Sequence, residues 1–339
     1  MTKHLTTLAL LAAMGWATSA RSEEPRLELL DVRKVWDAAP HNAFTDLIRF
    51  EGAWYLTFRE APYHGVPKVG EDPGKARVLR SGDGKTWQSV ALLDYGADQD
   101  VRDPKLSITP DGRLMLNAAA APHAQRNTRQ SLAWFSTDGE RWGKPHAIGE
   151  LDWWMWRVTW APDGKAYGTG YGPISQRPRT TRLYRSDDGI RFETIVTTLT
   201  ADPNTGEATV RFLRDGTAVA LVRNEGRPPH ALVGTARADD TNWTFRSLGV
   251  HLGGPNFIEL PDGRLVAGGR LYDDKVRTGL CWLDAKAGTL VEALTLPSGG
   301  DTSYPGFVWH DGLLWVSYYA SHEDKSSIYL ARVRVHPAP

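Results

Sequence analysis

One heptad, Ser-x-Asp-Gly-x-x-aromatic, occurs three times in this chain of 339 residues, and its spacing constrains the fold more than any other feature. The copies begin at Ser81, Ser136 and Ser186, which are 55 and 50 residues apart. A single copy is weak evidence, because Asp-Gly pairs are common in hairpin turns. Three copies at this spacing are typical of a protein built from repeated structural units.

A second repeat, a hairpin of two apolar strands joined by a turn with glycine, occurs six times. Its turn glycines are 60, 52, 52, 47 and 49 residues apart and are Gly52, Gly112, Gly164, Gly216, Gly263 and Gly312. Two further strands follow each hairpin, and in the first three units the heptad lies between them. A degraded copy, Asp239 to Trp243, follows in the fourth unit. We therefore predict an all-β fold, a six-bladed β-propeller with four-stranded blades.

The segment from Leu27 to Trp36 has no blade of its own. The sixth unit has one further clear strand, Ser327 to Val335, after its hairpin, and the chain then ends. We therefore expect the N-terminal segment to supply the missing outer strand of the last blade and so to close the ring.

Residues 1–22 have the pattern of a signal peptide, in which Lys3 and His4 precede an apolar run and small residues follow it. A buried first helix is the alternative. The run is too short to span a bilayer. We predict that residues 23–339 form a single domain, secreted or periplasmic, without membrane insertion and monomeric.

The composition excludes several classes of function. Forty basic and forty acidic residues cancel, so the net charge gives no indication of nucleic acid as a partner. Cys281 is the only cysteine, so there is no disulfide framework. No histidine or cysteine cluster has metal-ligand spacing, and we expect neither a metal nor a cofactor.

Function is expected at the end of the propeller opposite the heptads, because loops on a rigid scaffold carry binding groups. Seven residues after each turn glycine, the chain reaches that end with Arg59, Ala119, Tyr171, Arg223, Arg270 and Tyr319. Guanidinium groups bind carboxylates in a bidentate manner. The three arginines at one register therefore predict an anionic group on the substrate; three solvated strand-end arginines are the alternative.

The starts of the first strands supply a second ring of polar and aromatic residues at the same end. Its members are His41, Asn42, Arg102, Asp103, Trp156, Arg157, Glu207, Asn256, Asp301 and Tyr304. Aromatic faces with a few polar groups that fix orientation are what a sugar site requires. We count Arg102, Asp103, Trp156, Tyr171, Asn256 and Tyr319 among the predicted substrate-binding residues.

The heptad resembles the Asp box of the sialidase superfamily, and the resemblance covers six blades over residues 27–335. In that superfamily the box is structural and lies in the turn between the third and fourth strands. The resemblance therefore implies that Asp83, Asp138 and Asp188 are structural. A short carboxylate in such a turn can accept hydrogen bonds from its own backbone.

Sialidases carry an arginine triad for the substrate carboxylate and a tyrosine nucleophile assisted by a glutamate, an exception to two-carboxylate glycosidase chemistry. The order of residues in the C-terminal half is similar. The resemblance implies that Tyr304 is the nucleophile and Glu207 its base. It also implies that Arg223 and Arg270 bind the carboxylate, and we expect Arg59 to supply the third guanidinium from a different strand.

The N-terminal half departs from the family. The usual Phe/Tyr-Arg-Ile-Pro motif is absent, and residues 42–47 in its place contain no arginine. The acid/base aspartate of the family corresponds best to Asp72, which lies nine residues before the first heptad. His64, Asp46 and Asp103 are the alternatives.

The sequence thus predicts an exported, sialidase-like glycoside hydrolase that removes a terminal carboxylate-bearing sugar from a glycan. A first alternative is a propeller polysaccharide lyase acting on uronic-acid glycans, in which His41, His64 or a tyrosine abstracts the proton beside the carboxylate. A second alternative is a non-catalytic glycan-binding propeller, because one fold hosts many functions.

Overall fold

The structure is a computed structural model that describes residues 26–237 and 241–337. The predicted signal peptide lies outside these ranges, as do Asp239 and Asp240 of the degraded heptad. Within the ranges the chain forms twenty-four β-strands and no helix. Accordingly, no helix in this part of the chain could cross a membrane.

Six four-stranded antiparallel sheets form the blades. The sheet that closes the ring begins with β1 (Leu27–Trp36). Blade 1 consists of β2 (His41–Phe50), β3 (Ala53–Ala61), β4 (Lys75–Ser81) and β5 (Gln88–Leu93). Blade 2 consists of β6 (Gln99–Ile108), β7 (Leu114–Pro122), β8 (Gln130–Ser136) and β9 (His146–Ile148). Blade 3 consists of β10 (Trp154–Trp160), β11 (Ala166–Gly172), β12 (Thr180–Ser186) and β13 (Glu193–Val196).

The second half of the ring has the same organisation. Blade 4 consists of β14 (Thr205–Phe212), β15 (Thr217–Asn224), β16 (Leu232–Arg237) and β17 (Thr244–Ser247). Blade 5 consists of β18 (Leu252–Glu259), β19 (Leu265–Leu271), β20 (Arg277–Asp284) and β21 (Thr289–Thr295). Blade 6 consists of β22 (Thr302–His310), β23 (Leu313–Ala320) and β24 (Ser327–Val335), with β1 as its outer strand. The predicted six-bladed propeller is confirmed.

The ring closes as the sequence predicts. Strand β1 pairs antiparallel with β24 from Leu27 opposite Val335 to Trp36 opposite Ile328. An ion pair between Asp31 and Arg332 joins the two strands. Blade 6 is therefore assembled from both ends of the folded chain, so the first and last blades are held side by side.

The core lies between the blades. In blade 2, the inner strand β7 is almost wholly buried, whereas β5, the outer strand of blade 1, has no buried residue. The cluster between blades 1 and 2 illustrates the packing, with Phe50 and Tyr55 from one blade against Leu116 and Trp134 from the other. Each blade thus buries both faces of its inner strands against its neighbours.

The three heptads form the same turn, on the end of the propeller where the hairpins turn. In the first, Asp83 Oδ1 accepts hydrogen bonds from the amides of Lys85 and Thr86, both at 2.8 Å. These amides lower the pKa of Asp83 to about 2. Ser81 Oγ accepts from the amide of Gly84 at 2.9 Å. The aspartates at 138 and 188 bond their turns in the same way, so all three are structural groups.

The heptad turn of one blade also packs on the preceding blade. Gly139, with φ +74°, lies against the ring of Tyr55, and a side-chain carbon at this glycine would overlap that ring. The Tyr55 hydroxyl donates to the Asp138 carbonyl at 2.9 Å. Gly112 has a similar φ of +79° but no atom near its missing side chain.

This contrast predicts different costs for two glycine substitutions. Gly112→Ala should lower the free energy of unfolding by about 1 kcal/mol, because only the left-handed backbone conformation opposes a side chain there. Gly139→Ala should lower the free energy of unfolding by a further 1–3 kcal/mol or so, because the new methyl group displaces the ring of Tyr55. Urea denaturation of the two variants measures the difference, and equal losses would contradict inter-blade packing at Gly139.

Candidate active site

Every first strand carries an irregularity near the end that faces away from the heptads. The register shifts lie within one residue of the same depth in all six blades, between Ala43 and Asp46, Arg102 and Lys105, Met155 and Arg157, Thr205 and Ala208, Gly253 and Asn256, and Ser303 and Gly306. Such β-bulges re-aim side chains. In four blades the bulge residue has positive φ; these residues are Phe44, Asp103, Gly254 and Tyr304.

The bulges bring residues of distant blades together at the centre of the ring. The Tyr304 ring of blade 6 lies 5.1 Å from Phe44 of blade 1 and 5.4 Å from Trp156 of blade 3, measured between ring centroids. Lys105 Nζ of blade 2 lies 5.8 Å from the Tyr304 ring. Tyr304 is thus at the axis of the propeller. We call the region around Tyr304, at the end of the axis opposite the heptads, the funnel.

Tyr304 and Glu207 form the first of two bonded groups in this funnel. The Tyr304 hydroxyl donates to Glu207 Oε1 at 2.6 Å. Arg223 Nη1 donates to the same carboxylate at 3.0 and 3.1 Å, and the Gly254 amide donates to Oε2 at 2.8 Å. The carboxylate that sequence order assigned to Tyr304 is therefore in direct contact with it.

The electrostatics of this pair follow from burial and from its neighbours. Burial and the charge of Glu207 raise the pKa of Tyr304 well above its ordinary value. Burial opposes ionisation of Glu207, but Arg223 and the hydrogen bond from Tyr304 outweigh it and lower the pKa of Glu207. The resting pair is a phenol next to a carboxylate, so Glu207 is placed to accept the phenolic proton.

Arg270 and Asp301 form the second bonded group. Arg270 Nη2 donates to Asp301 Oδ1 at 3.0 Å and to the Tyr319 hydroxyl at 2.8 Å, and that hydroxyl donates to Asp301 Oδ1 at 2.8 Å. The other carboxylate oxygen, Asp301 Oδ2, lies 2.9 Å from His41 Nε2 and 2.5 Å from His64 Nδ1. The Arg270 guanidinium lies 5.7 Å from the Tyr304 ring and so joins the two groups.

His41, His64 and Asp301 also have the spacing of a metal-ligand set, since one donor atom of each lies within 4.8 Å of the others. Two observations favour a hydrogen-bonded cluster instead. The Arg270 guanidinium already neutralises Asp301. His41 Nδ1 is buried without a hydrogen-bond partner among the described residues, whereas a ligating histidine ordinarily donates from its second nitrogen.

Arg59 does not lie in the funnel with Arg223 and Arg270. Its side chain is fully buried. Arg59 Nε and Nη2 donate hydrogen bonds to the Asp100 carboxylate at 2.9 and 3.0 Å. The guanidinium also donates to the backbone carbonyls of Tyr63 and Gly65. This geometry argues against the prediction that Arg59 binds the substrate anion, because Asp100 already holds its guanidinium. Arg59 instead supports the loop after β3.

Arg102 shares Asp100 with Arg59 but lies closer to the axis. Its Nη1 donates to Asp100 Oδ2 at 2.9 Å, and its guanidinium lies 5.4 Å from the Phe44 ring. Its Nε has no hydrogen-bond partner in the described part of the chain. Arg102 therefore brings a third guanidinium to the funnel from blade 2.

Two further buried ionisable groups lie at the base of the funnel. Asp103 is 3% exposed, and its Oδ1 has no hydrogen-bond partner within the described ranges. Burial raises its pKa. Burial lowers the pKa of Lys105 to about 8, and its Nζ lies 5.1 Å from the Trp156 ring. Asp46, by contrast, is committed to Arg157 through two hydrogen bonds of 2.8 and 3.2 Å.

The other predicted residues divide between the funnel wall and its support. Tyr171 lines a cleft of about 250 Å³ together with Glu207 and Arg223. Asn256 is buried, accepts from Arg211 at 2.9 Å and donates to the Pro305 carbonyl at 2.8 Å, so it supports the strand below the funnel. Asp72 is exposed in the loop after β3, and within the described ranges it makes no hydrogen bond or ion pair. Its role as acid/base stays a prediction.

A larger cavity of about 700 Å³ lies elsewhere, between blades 4 and 5. Turn residues such as Asp215, Gly263 and Asp284 line it, so it opens at the heptad end. None of the buried ionisable groups described above lines this cavity, so the cleft at Glu207, although smaller, is the better candidate for chemistry.

Sequence reasoning assigned no role to Asp301, Gly254 or Phe44. The signal for Gly254 and Phe44 was present, because each stands in its strand where Tyr304 stands in β22. Asp301 was noted directly before β22, but three of its partners, Arg270, His41 and His64, come from other blades or from the loop after β3. No local pattern indicates them.

Comparison with known proteins finds the same architecture at low sequence identity. No family profile and no curated protein matches the chain. A Dyadobacter fermentans protein of unknown function matches with a TM-score of 0.77 at 19% identity, over 92% of this chain and 100% of that one. Trypanosoma rangeli sialidase matches with a TM-score of 0.67 at 15% identity, over 87% of this chain and 55% of its own.

A mutant α-L-arabinofuranosidase from Fusarium graminearum, in complex with an iminosugar inhibitor, matches with a TM-score of 0.66 at 12% identity. The match covers 86% of this chain and 93% of that one. At these identities the likeness shows the propeller fold alone. The chain spans about half the length of the Trypanosoma sialidase.

The position of Arg59 predicts a stability effect. Arg59→Ala should lower the free energy of unfolding by about 3–5 kcal/mol, because it removes a partner of the buried Asp100 carboxylate. Arg191→Ala is the matched control, since its pair with Asp188 at 2.8 Å is exposed, and its loss should cost less than about 1 kcal/mol. Urea titration measures both. Equal effects would contradict a structural role for Arg59.

Proposed function

We propose that this chain is a glycoside hydrolase that removes a terminal, carboxylate-bearing sugar from a glycan by means of a tyrosine nucleophile. The observation that carries the proposal is the buried hydrogen bond of 2.6 Å between Tyr304 and Glu207 at the axis of the propeller. The named activities of two similar structures, a sialidase and an arabinofuranosidase, support a sugar as the substrate. The predicted export of the chain agrees with a glycan substrate outside the cell.

The nucleophile is activated by proton transfer within the pair. Phenol is a weak nucleophile at neutral pH, and an adjacent base removes this limitation. As the Tyr304 oxygen attacks the anomeric carbon, its proton passes to Glu207 Oε1, and the bond to the leaving group breaks. Arg223 and the Gly254 amide hold the Glu207 carboxylate in place, so the base is oriented before the substrate binds.

The charge of the substrate follows from the arginines that face the funnel. Arg223 lies 3.5 Å from the Tyr304 hydroxyl, and the Arg270 guanidinium lies 5.7 Å from the Tyr304 ring. Arg102, from blade 2, lies over the neighbouring Phe44 ring. Arg102 precedes Asp103 and Pro104, which gives it the spacing of the arginine in the family's Arg-Ile-Pro motif, one blade later in the chain. We infer that Arg102, rather than Arg59, is the third guanidinium. Three guanidinium groups around one sugar favour a carboxylate on that sugar.

Replacement of the nucleophile tests the mechanism. Tyr304→Phe should lower kcat by on the order of 10³-fold or more, because it removes the attacking oxygen. Tyr167→Phe is the matched control: it is also a buried tyrosine, but its hydroxyl bonds Asp163 at 3.0 Å at the heptad end. Hydrolysis of terminal sialic, other nonulosonic and uronic acid glycosides provides the assay. Wild-type activity in Tyr304→Phe would contradict the mechanism.

Replacement of an arginine tests the charge of the substrate. Arg270→Ala should raise KM for an acidic glycoside by roughly 10–100-fold, because it removes the binding free energy of one or two charge-assisted hydrogen bonds. The same glycoside with its carboxylate converted to an amide serves as the neutral comparison, and its KM should change far less. An equal loss on both substrates would argue against a carboxylate at Arg270.

A further inference from the structure

Asp301 is surrounded by hydrogen-bond donors on both carboxylate oxygens. Oδ1 accepts from Arg270 and Tyr319, and Oδ2 lies within hydrogen-bond distance of His41 and His64. Burial opposes its ionisation, but the two histidines and Arg270 outweigh it and hold the pKa of Asp301 well below its ordinary value. Asp301 is therefore a fixed anion that orients two imidazole rings.

The two histidines differ in exposure, and the difference separates their roles. The His41 side chain is 9% exposed, and burial lowers its pKa, so it stays a neutral donor to Asp301. The His64 side chain is 53% exposed. Because Nδ1 of His64 faces Asp301, its Nε2 is the ring nitrogen left to meet a ligand. A carboxylate that fixes one nitrogen of an exposed imidazole is the arrangement used for proton transfer.

Phe44 lies between His64 and the proposed nucleophile. The His64 ring packs edge-on against the Phe44 ring at 5.3 Å, and the Tyr304 ring lies 5.1 Å from the same Phe44 ring. Arg270 touches both Asp301 and the Tyr304 ring. Two sets of contacts, through Phe44 and through Asp301 and Arg270, thus connect His64 with Tyr304. We infer that the leaving group of a sugar on Tyr304 lies on the His64 side.

We propose that His64 is the catalytic acid and base of the reaction and that Asp301 is its positioning residue. This inference rests on the proposed hydrolase function. In the first step, His64 Nε2 gives its proton to the glycosidic oxygen as the bond to the sugar breaks and the bond to Tyr304 forms. In the second step, neutral His64 takes a proton from water, the water oxygen bonds to the anomeric carbon, and Tyr304 leaves with the proton held by Glu207.

The charged and titratable groups around His64 come from four elements. Asp301 precedes β22, and His41 begins β2. Arg270 lies near the end of β19, and Tyr319 lies on β23. The charge of Arg59, on β3, also helps to lower the pKa of His41. Asp72, the sequence-based alternative, belongs to the same loop as His64 but is exposed and has no bonded partner in the described ranges. Only His64 is held against the funnel.

Leaving-group dependence tests the proposal. A general acid matters most for a poor leaving group, so His64→Asn should lower kcat/KM by about 10²–10⁴-fold for an alkyl or sugar aglycone. The loss for the matching nitrophenyl glycoside should be less than about tenfold, because nitrophenolate leaves without protonation. Azide, which needs no base, should restore turnover of the nitrophenyl glycoside and yield the glycosyl azide. Asp301→Asn should show the same dependence on the leaving group, with a smaller loss.

One control variant and one competing variant make the result specific. His146→Asn changes an exposed histidine on β9 and should leave the hydrolysis of both substrates unaffected. Asp72→Asn tests the competing acid, because the leaving-group pattern would appear in this variant if Asp72 protonated the glycosidic oxygen. Equal loss on both substrates in His64→Asn would overturn the proposal, as would the leaving-group pattern in Asp72→Asn. An unsaturated product absorbing in the ultraviolet, or chelator inhibition reversed by zinc, would overturn it too.

The same assays separate this inference from the proposed function. Tyr304→Phe abolishes hydrolysis of both substrates when the hydrolase function is correct, whatever His64 does. An inactive Tyr304→Phe together with His64→Asn that shows no leaving-group dependence refutes the role of His64 alone. A wild-type protein that hydrolyses neither substrate refutes both.

Discussion

The closure of the ring is the constraint on which the rest of the structure depends. Strand β1 pairs with β24, and this pairing holds blade 6 beside blade 1. Across the seam, Asn42 donates to the Ser326 carbonyl at 2.9 Å, and Thr45 donates to the Tyr304 carbonyl at 2.8 Å. The contacts of Asp301 with His41 and His64 cross the same seam. The candidate site is therefore a product of closure and not of any one blade.

Buried charge gives the funnel its shape. Three carboxylates, Asp46, Asp100 and Glu207, are each removed from water and each met by arginine. Such pairs add little net stability, because desolvation offsets their attraction, but breaking one leaves a charge without compensation. The carboxylates thus fix where each guanidinium can lie. Glu207 differs from the other two because it also accepts a hydrogen bond from a phenol, that of Tyr304.

Sequence periodicity was sufficient to predict the blades and the closing strand, since both depend on local alternation and turn chemistry. The resemblance to the sialidase superfamily implied the pairing of Tyr304 with Glu207, and register along the strands grouped Arg223 with Arg270. The same register also placed Arg59 with those arginines. Register fixes the position of a residue on its strand, but it does not determine which partner the side chain binds. Asp100 of the next blade holds Arg59 instead. The grouping of Asp301 with His64 depends on a loop conformation, which no repeat encodes.

The bulges have a consequence for symmetry. Six equivalent positions point at one axis, but the volume at that axis is shared, and six large side chains cannot occupy it together. Gly254 stands where Tyr304 stands in the next blade, and a side-chain carbon there would lie 2.7 Å from the Tyr304 ring. The vacancy in blade 5 is what makes room for the phenol of blade 6. A propeller that places chemistry on its axis must therefore have unequal blades, and the inequality is concentrated in a single residue per strand.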